Sequence, residues 1–291
     1  MSNSNFNTAV TIALVGQNKF KPYEELDLSD DFMFGKVMQD KKRCKKLLEI
    51  TLHIDPDTEI EEPVTQGNIR NSPGGKSVFL DVRTSDNSSF YDAEMQNRVD
   101  DSLPLRMRYY QAMMDIEFLQ KGHEYGELMK NYILFFCKTD LFHKKKPVYT
   151  FTNKCEEEEN LEFGDKTTKI VYNASKWADV KDKELSALLR MIYEGKPSTD
   201  YTTEIDGFIQ DQRINPLWRK EYMDFHMQIL HEKNIARKEA LAEGEVLGAM
   251  KTKVETAKNL LSMNILTPEQ IAQASGLSLE EVQEIKLSEN L

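Results

Sequence analysis

The sequence predicts an α/β fold, a mixed β-sheet flanked by helices, followed by an α-helical C-terminal region. Three observations carry this. Val78 to Gln96 alternates apolar and polar residues on either side of the turn-forming cluster Ser85-Asp86-Asn87-Ser88, as two antiparallel strands do. Asn131-Tyr-Ile-Leu-Phe-Phe-Cys137 is continuously apolar, as expected of a strand buried on both faces. From Lys181 onward the apolar residues recur at helical spacing.

In chain order, residues 1–24 lack periodicity and read as a flexible extension. Ser29-Asp30-Asp31 offers capping side chains to a first helix carrying Phe32, Phe34, Val37 and Met38. A second helix follows through Cys44, Leu47, Leu48 and Leu52, ended by Pro56. An edge strand is expected between Ile60 and Lys76, closing at the turn Asn71-Ser-Pro-Gly-Gly75. Beyond the hairpin, Asp100-Asp-Ser-Leu-Pro104 reads as a helix start, with Gly122 placed to stop that helix. After the apolar strand come Val148–Thr152 and Lys169–Tyr172, two further strands flanking the acidic run Glu156-Glu-Glu-Glu159. This gives an α–β–β–β–α–β order.

In the helical half, Leu185, Leu188, Leu189 and Ile192 form one apolar stripe, and Trp218, Tyr222, Phe225, Ile229 and Leu230 another. Residues 234–262 are rich in Ala, Glu and Lys and predict a long helix, which can pair with a copy of itself to make a homodimer. Thr267-Pro-Glu-Gln270 and Ser278-Leu-Glu-Glu281 are capping-box patterns separated by Gly276, so the tail reads as a small helix-turn-helix. Glu280, Glu281 and Glu284 on its second helix would repel phosphate, which favours a protein-contact module over a DNA reader. The domain reading is an extension at 1–24, an α/β domain at 25–175, a helical region at 176–262 and the tail at 263–291.

Composition narrows the function classes. The 291 residues can bury a substantial core, and the net charge is −11. An acidic chain is unusual for a nucleic-acid binder, although the acidic residues are concentrated in patches such as 156–159. Cys44, Cys137 and Cys155 have no CxxC spacing, which argues against a disulfide framework and fits a reducing compartment. The five histidines show no HxH or HExxH spacing, and P-loop, GxGxxG and GxSxG patterns are absent. No apolar run reaches membrane-spanning length and no basic segment precedes Thr8–Gly16, so no membrane partner is expected and a cytoplasmic location is.

The candidate chemistry lies in the central hairpin. With Asp86-Asn87 at its tip, Ser85 pairs with Ser88, and Asp81 stands opposite Asp92. One face then collects Val78, Leu80, Val82, Tyr91, Ala93 and Met95. The other collects Asp81, Arg83, Asp92, Glu94 and Gln96 with Phe79 and Phe90. A solvated strand face carries charges too. Yet opposed carboxylates are destabilising unless something neutralises them, and Asp81 and Glu94 lie diagonally about 7–8 Å apart at the backbone. That spacing suits a hard divalent cation such as Mg²⁺. The pair Asp81 and Glu94 alone also admits a sugar- or nucleotide-acting hydrolase.

Asp81 followed by Glu94-Met95-Gln96 resembles the Asp…Glu-x-Lys/Gln signature of the PD-(D/E)XK nuclease superfamily. Asp31-Phe-Met-Phe-Gly-Lys-Val-Met38, Asp92-Ala-Glu-Met-Gln96, Arg106 with Tyr109 or Tyr110, Gly122-His-Glu-Tyr125 and Tyr132–Asp140 resemble, in order, motifs of its Rpn family of recombination-promoting nucleases and transposases. The resemblance covers residues 25–145 most closely. It implies a PD-(D/E)XK restriction-endonuclease-like core and a Mg²⁺-dependent DNA endonuclease, with Mn²⁺ as a substitute ion, linked to recombination or mobile elements. Asp81 and Glu94 would hold the ion. Asp31 is a third metal candidate, although it equally suits the helix N-terminus. Gln96 falls where a lysine is common, and a neutral amide can hold a water but supplies no positive charge. Arg106 and Tyr109 or Tyr110 would support the sheet or touch phosphate, or simply pack and face solvent. Lys144-Lys-Lys146 could contact the DNA backbone or form a solvated turn. The alternative is a weak or inactive nuclease fold acting as a regulatory module through its helical C-terminal half.

Overall fold

A computed structural model of the chain describes residues 21–69, 78–98, 101–119 and 122–288. The extension before Lys21 and the turn expected at Asn71–Gly75 lie outside the described residues. Six strands form one sheet: β1 (Val64–Ile69), β2 (Val78–Ser85), β3 (Ser89–Gln96), β4 (Lys130–Cys137), β5 (Val148–Phe151) and β6 (Thr167–Asn173). Their spatial order is β1-β2-β3-β4-β6-β5. The pairs β1–β2, β2–β3 and β5–β6 are antiparallel, whereas β3–β4 and β4–β6 are parallel. The sheet is therefore mixed, as predicted, and the strand from the apolar run lies in its interior.

Helices cover both faces. Parallel strands need a crossover, and α3 (Leu103–Phe118) supplies it between β3 and β4. Leu103 and Met107 of α3 pack on Ile133, Phe135, Cys137 and Val171, which point to one side of β4 and β6. On the other side, α1 (Asp31–Met38) and α2 (Lys41–Leu52) meet the alternate residues of the same strands. Phe34 lies 5.9 Å from Phe136 between ring centres, Phe136 stacks on Tyr172 at 4.9 Å, and the Tyr172 hydroxyl donates to the Thr51 carbonyl at 2.7 Å. Burying a tyrosine this deeply requires a partner for its hydroxyl, and the end of α2 provides one.

Several helix ends follow their sequence signals, whereas Asp30 at the start of α1 makes no side-chain capping bond and α3 ends at Phe118, ahead of Gly122. Asp40 caps α2 by accepting from the Arg43 N–H, and His53 ends it in the left-handed region at φ 54°. The second helix thus stops three residues before Pro56. α4 (Lys183–Glu194) is capped by Asp182 and closed by Gly195 at φ 68°, where a residue without Cβ carries no strain. α5 (Asp200–Gln212) docks on α2: Tyr201 donates to the Arg43 carbonyl at 2.8 Å, and the Arg43 guanidinium sits 4.0 Å from the Phe208 ring centre.

The chain divides after Arg219 into two compact units. The apolar stripe from Trp218 to Leu230 and the Ala-, Glu- and Lys-rich segment 234–262 lie on one helix, α6 (Pro216–Met263), because no proline interrupts 217–263 and its glycines Gly244 and Gly248 are tolerated within the helix. In the second unit, α7 (Pro268–Ser275) and α8 (Leu279–Ser288) form the predicted helix pair, with both capping boxes made and Gly276 at φ 70° between them. Ala257, Leu261, Ile271, Leu277 and Val282 make its small core. No helix among the described residues is long and apolar enough to cross a membrane.

Phe136→Ala should cost about 3–5 kcal/mol, as expected for a buried aromatic truncated to a cavity. Tyr172→Phe should cost about 1–3 kcal/mol by leaving the Thr51 carbonyl without its partner. Urea denaturation of the three proteins checks both the direction and the order.

Candidate active site

The β2–β3 hairpin is built two positions away from the expected register. Its ladder runs from Ser85 opposite Phe90 to Val82 opposite Ala93, with Asp92 facing Arg83 rather than Asp81. The reason lies in the turn. The Asp86 carboxylate accepts from the Ser88 and Ser89 N–H groups and from the Tyr91 hydroxyl, moving the tip to Asn87-Ser88. Pairing slides by two positions, so the charged residues of β3 keep their common face. Strict alternation does not extend to Leu80, which packs with Met113 and Met114 of α3.

Where the ladder ends, two carboxylates take over. The Asp81 N–H donates to Glu94 Oε1 at 2.7 Å, and the Met95 N–H donates to Asp81 Oδ2 at 2.8 Å. Each side chain thus satisfies a backbone donor of the opposite strand that would otherwise be orphaned by the opening. One carboxyl oxygen of each residue is committed in this way. Asp92 joins them from the same face of β3: it is fully buried, its carboxyl lies against that of Glu94, and among the described residues no N–H donates to either oxygen.

Arg106 arrives from the first turn of α3. Its Nη1 donates to Gln96 Oε1 at 3.0 Å and its Nη2 to the Tyr110 hydroxyl at 3.3 Å. The guanidinium lies 5.5 Å from the ring centres of both Tyr110 and Phe135. Of the two tyrosines within one turn, Tyr110 is therefore the partner, and Tyr109 is 39% exposed. The Gln96 amide is held at both ends, since its Nε2 donates to the Arg98 carbonyl.

These neighbours set the electrostatics. Burial pushes Asp81, Asp92 and Glu94 well above the ordinary carboxylate range, and their mutual repulsion adds to it. Arg106 acts in the opposite direction on all three. Burial works against the Arg106 charge, but Tyr110, Glu94 and Asp81 more than offset that and raise it. Tyr110 is pushed up to about 12 by burial and then by Glu94.

Asp31, the first residue of α1, accepts from the Phe32 N–H at 2.7 Å. The residue is solvent-exposed overall, yet protein atoms crowd its carboxyl and, with Asp30 nearby, hold it above the ordinary range. Its charge reaches Asp81 and raises that group further. The structure thus gathers Asp31, Asp81, Glu94, Gln96 and Arg106. It adds Asp92 and takes Tyr110 in place of Tyr109 as the Arg106 partner, while Lys144–Lys146 lie in an exposed turn where the Lys145 N–H donates to Asp140. Asp92 was visible in the sequence on the same strand face as Glu94, but nothing there marked it as partnerless.

The donor set fits a divalent cation. The buried Asp92 and Glu94 and the half-buried Asp81 are incompletely balanced by Arg106 and, at Asp92, Arg83, and Asp81 and Glu94 each keep an oxygen not used by the backbone. Among the described residues no three His, Cys, Asp or Glu side chains form a ready-made ligand cage. Mg²⁺ does not require one, because it is commonly held by one or two carboxylates with waters and phosphate oxygens.

A family model described as PD-(D/E)XK nuclease family transposase matches residues 27–194, more than half of the chain. The chain belongs to this family. The match contains every residue of the carboxylate group together with Arg106 and Tyr110, and it ends at the last residue of α4. The mixed sheet flanked by helices is consistent with the family's α/β fold. No curated protein and no solved structure matches the chain.

The raised carboxyls make a testable pH signature. Unfolded carboxyls ionise near about 4, and in the folded state these three ionise higher, so the folded state holds more protons above that pH. Stability contributed this way is present at low pH and falls as pH rises from about 4 through the raised values. Asp92→Asn should therefore raise the melting temperature at neutral pH, with the gain shrinking towards pH 4. A melting series across pH for the two proteins reads it directly.

Proposed function

We propose that the chain is a divalent-cation-dependent DNA endonuclease that hydrolyses phosphodiester bonds. The observation that carries this reading is the pair Asp81 and Glu94 at the opening of β2 and β3, each with one oxygen tied to backbone and one available. These two would hold Mg²⁺, or Mn²⁺ in its place, with Asp31 as a third, more exposed acidic contributor. The ion, when bound, supplies an activated water and neutralises charge on the scissile phosphate.

The remaining roles belong to the chain. Gln96 stands where family relatives commonly carry a lysine, and its amide is engaged with Arg106 and the Arg98 carbonyl. We assign it the positioning of Arg106 in preference to the holding of a water. Arg106 then provides the fixed positive charge that a neutral amide lacks, beside Glu94 and Asp81, with further N–H groups for phosphate oxygens. Tyr110 holds the guanidinium from its other edge. Asp92, buried behind Glu94, strengthens the negative field that draws in the cation.

Plasmid nicking in Mg²⁺ tests the assignment. Asp81→Ala should fall to background while the protein remains folded. Arg106→Lys, which keeps charge but loses the planar fork, should reduce the rate by about 10²-fold. Absence of nicking in the wild-type protein, with normal folding, would favour the alternative of a fold retained for contacts. A second role, self-association through α6, is supported by its exposed Leu241, Val246, Leu247 and Met250. Sedimentation of the wild-type protein should show a dimer that Leu247→Glu converts to monomer.

A further inference from the structure

A cavity of about 370 Å³ lies beside the carboxylates, bounded by the end of β1, by β2 and β3, and by the last turn of α3. Phe90 and Phe118 form its aromatic wall, edge to face with ring centres 5.0 Å apart. Met114 lines it on the same helix, and Arg83, ion-paired with Glu117, stands at its rim with Glu61. None of these residues was singled out by the carboxylate motif, and the nuclease chemistry does not use the cavity.

We propose that this cavity receives an unpaired nucleobase of the DNA strand being cut. The inference rests on the nuclease reading and adds the form of the substrate. Continuity with the carboxylate group is the first argument. Arg83 faces Asp92 across the ladder and its charge acts on that carboxyl, so one residue belongs to both sites. Phe90, Asp92 and Glu94 alternate along one face of β3, which places Phe90 about 13 Å from Glu94 along the strand. A DNA strand with a phosphate at Glu94 therefore brings a neighbouring nucleotide to Phe90.

The chemistry of the lining is the second argument. The volume lies in the range of small-molecule sites, and the wall offers aromatic faces on which a base can stack. Phosphate is disfavoured, because the cation at the rim is already neutralised by Glu117 and further carboxylates surround it. Carboxylates accept hydrogen bonds, and the N–H edges of bases supply donors. A base within a duplex cannot offer its faces to an aromatic wall, so the occupant is single-stranded or locally opened.

The test compares three fluorescent DNAs of equal length binding to the full chain in Ca²⁺: a single strand, the same strand with abasic sites, and a duplex. Nicking in Mg²⁺ is measured in parallel. The single strand should bind roughly ten-fold more tightly than its abasic form, as expected of one stacked base. Phe118→Ala should erase that difference and Phe118→Tyr should restore it. If Phe118→Ala melts early, Phe118→Leu, which fills the space without a ring face, carries the same test. Nicking with equal affinities for the single strand and its abasic form, or an affinity ratio unmoved by loss of the Phe118 ring, overturns the base site and leaves the nuclease reading intact. A wild-type protein that neither nicks nor binds any of the three DNAs overturns both.

Discussion

Three carboxylates crowded together at the point where two strands part, two of them buried and Asp81 half-buried, are the constraint on which the rest of this molecule depends. A buried carboxylate is unfavourable unless it is bonded, paired or protonated. Here Asp81 and Glu94 are kept in place by accepting from the backbone of the facing strand. The opening therefore creates two orphan N–H groups and satisfies them with the residues that need donors. Asp92 receives no backbone N–H, and only the neighbouring Glu94 carboxyl and the charges of Arg83 and Arg106 offset its burial.

The surrounding scaffold serves this arrangement. Because β3 and β4 are parallel, the chain must cross over between them, and the crossover is the helix that carries Arg106 and Tyr110. The same helix covers the carboxylate face and so both buries the charges and delivers the counter-charge. On the opposite face, α1 contributes Asp31 from its first turn, close enough to act on Asp81. The positive charge beside these carboxylates arrives from a helix, held by the Gln96 amide on the strand.

This division of labour also bears on the acidic balance of the whole chain. A net charge of −11 does not prevent one guanidinium, held against two rings and an amide, from acting on all three carboxylates of this site. Recognition of DNA by such a molecule would rely on stacking and a bound cation more than on a broad basic surface, in keeping with the aromatic wall formed by Phe90 and Phe118.

Much of this was legible in the residues. The alternation of 78–96, the apolar run at 131–137 and the capping boxes at Thr267 and Ser278 each encode a local backbone preference, so strands and helix ends could be placed from sequence alone. The ordered motifs around Asp81, Glu94 and Arg106 carried the family as well. The hairpin register was not legible, because the side chain of Asp86 fixes the tip through three short contacts that spacing rules do not weigh. Nor was the choice of Tyr110 over Tyr109, since both lie one turn from Arg106 and only packing against Phe135 separates them. The partnerless burial of Asp92, the capture of Gln96 by Arg106 and the cavity beside Phe90 all depend on how α3 lies across the sheet. Local sequence determines which faces are apolar and which charged; which charged groups meet, and which are left without water, is decided by long-range packing.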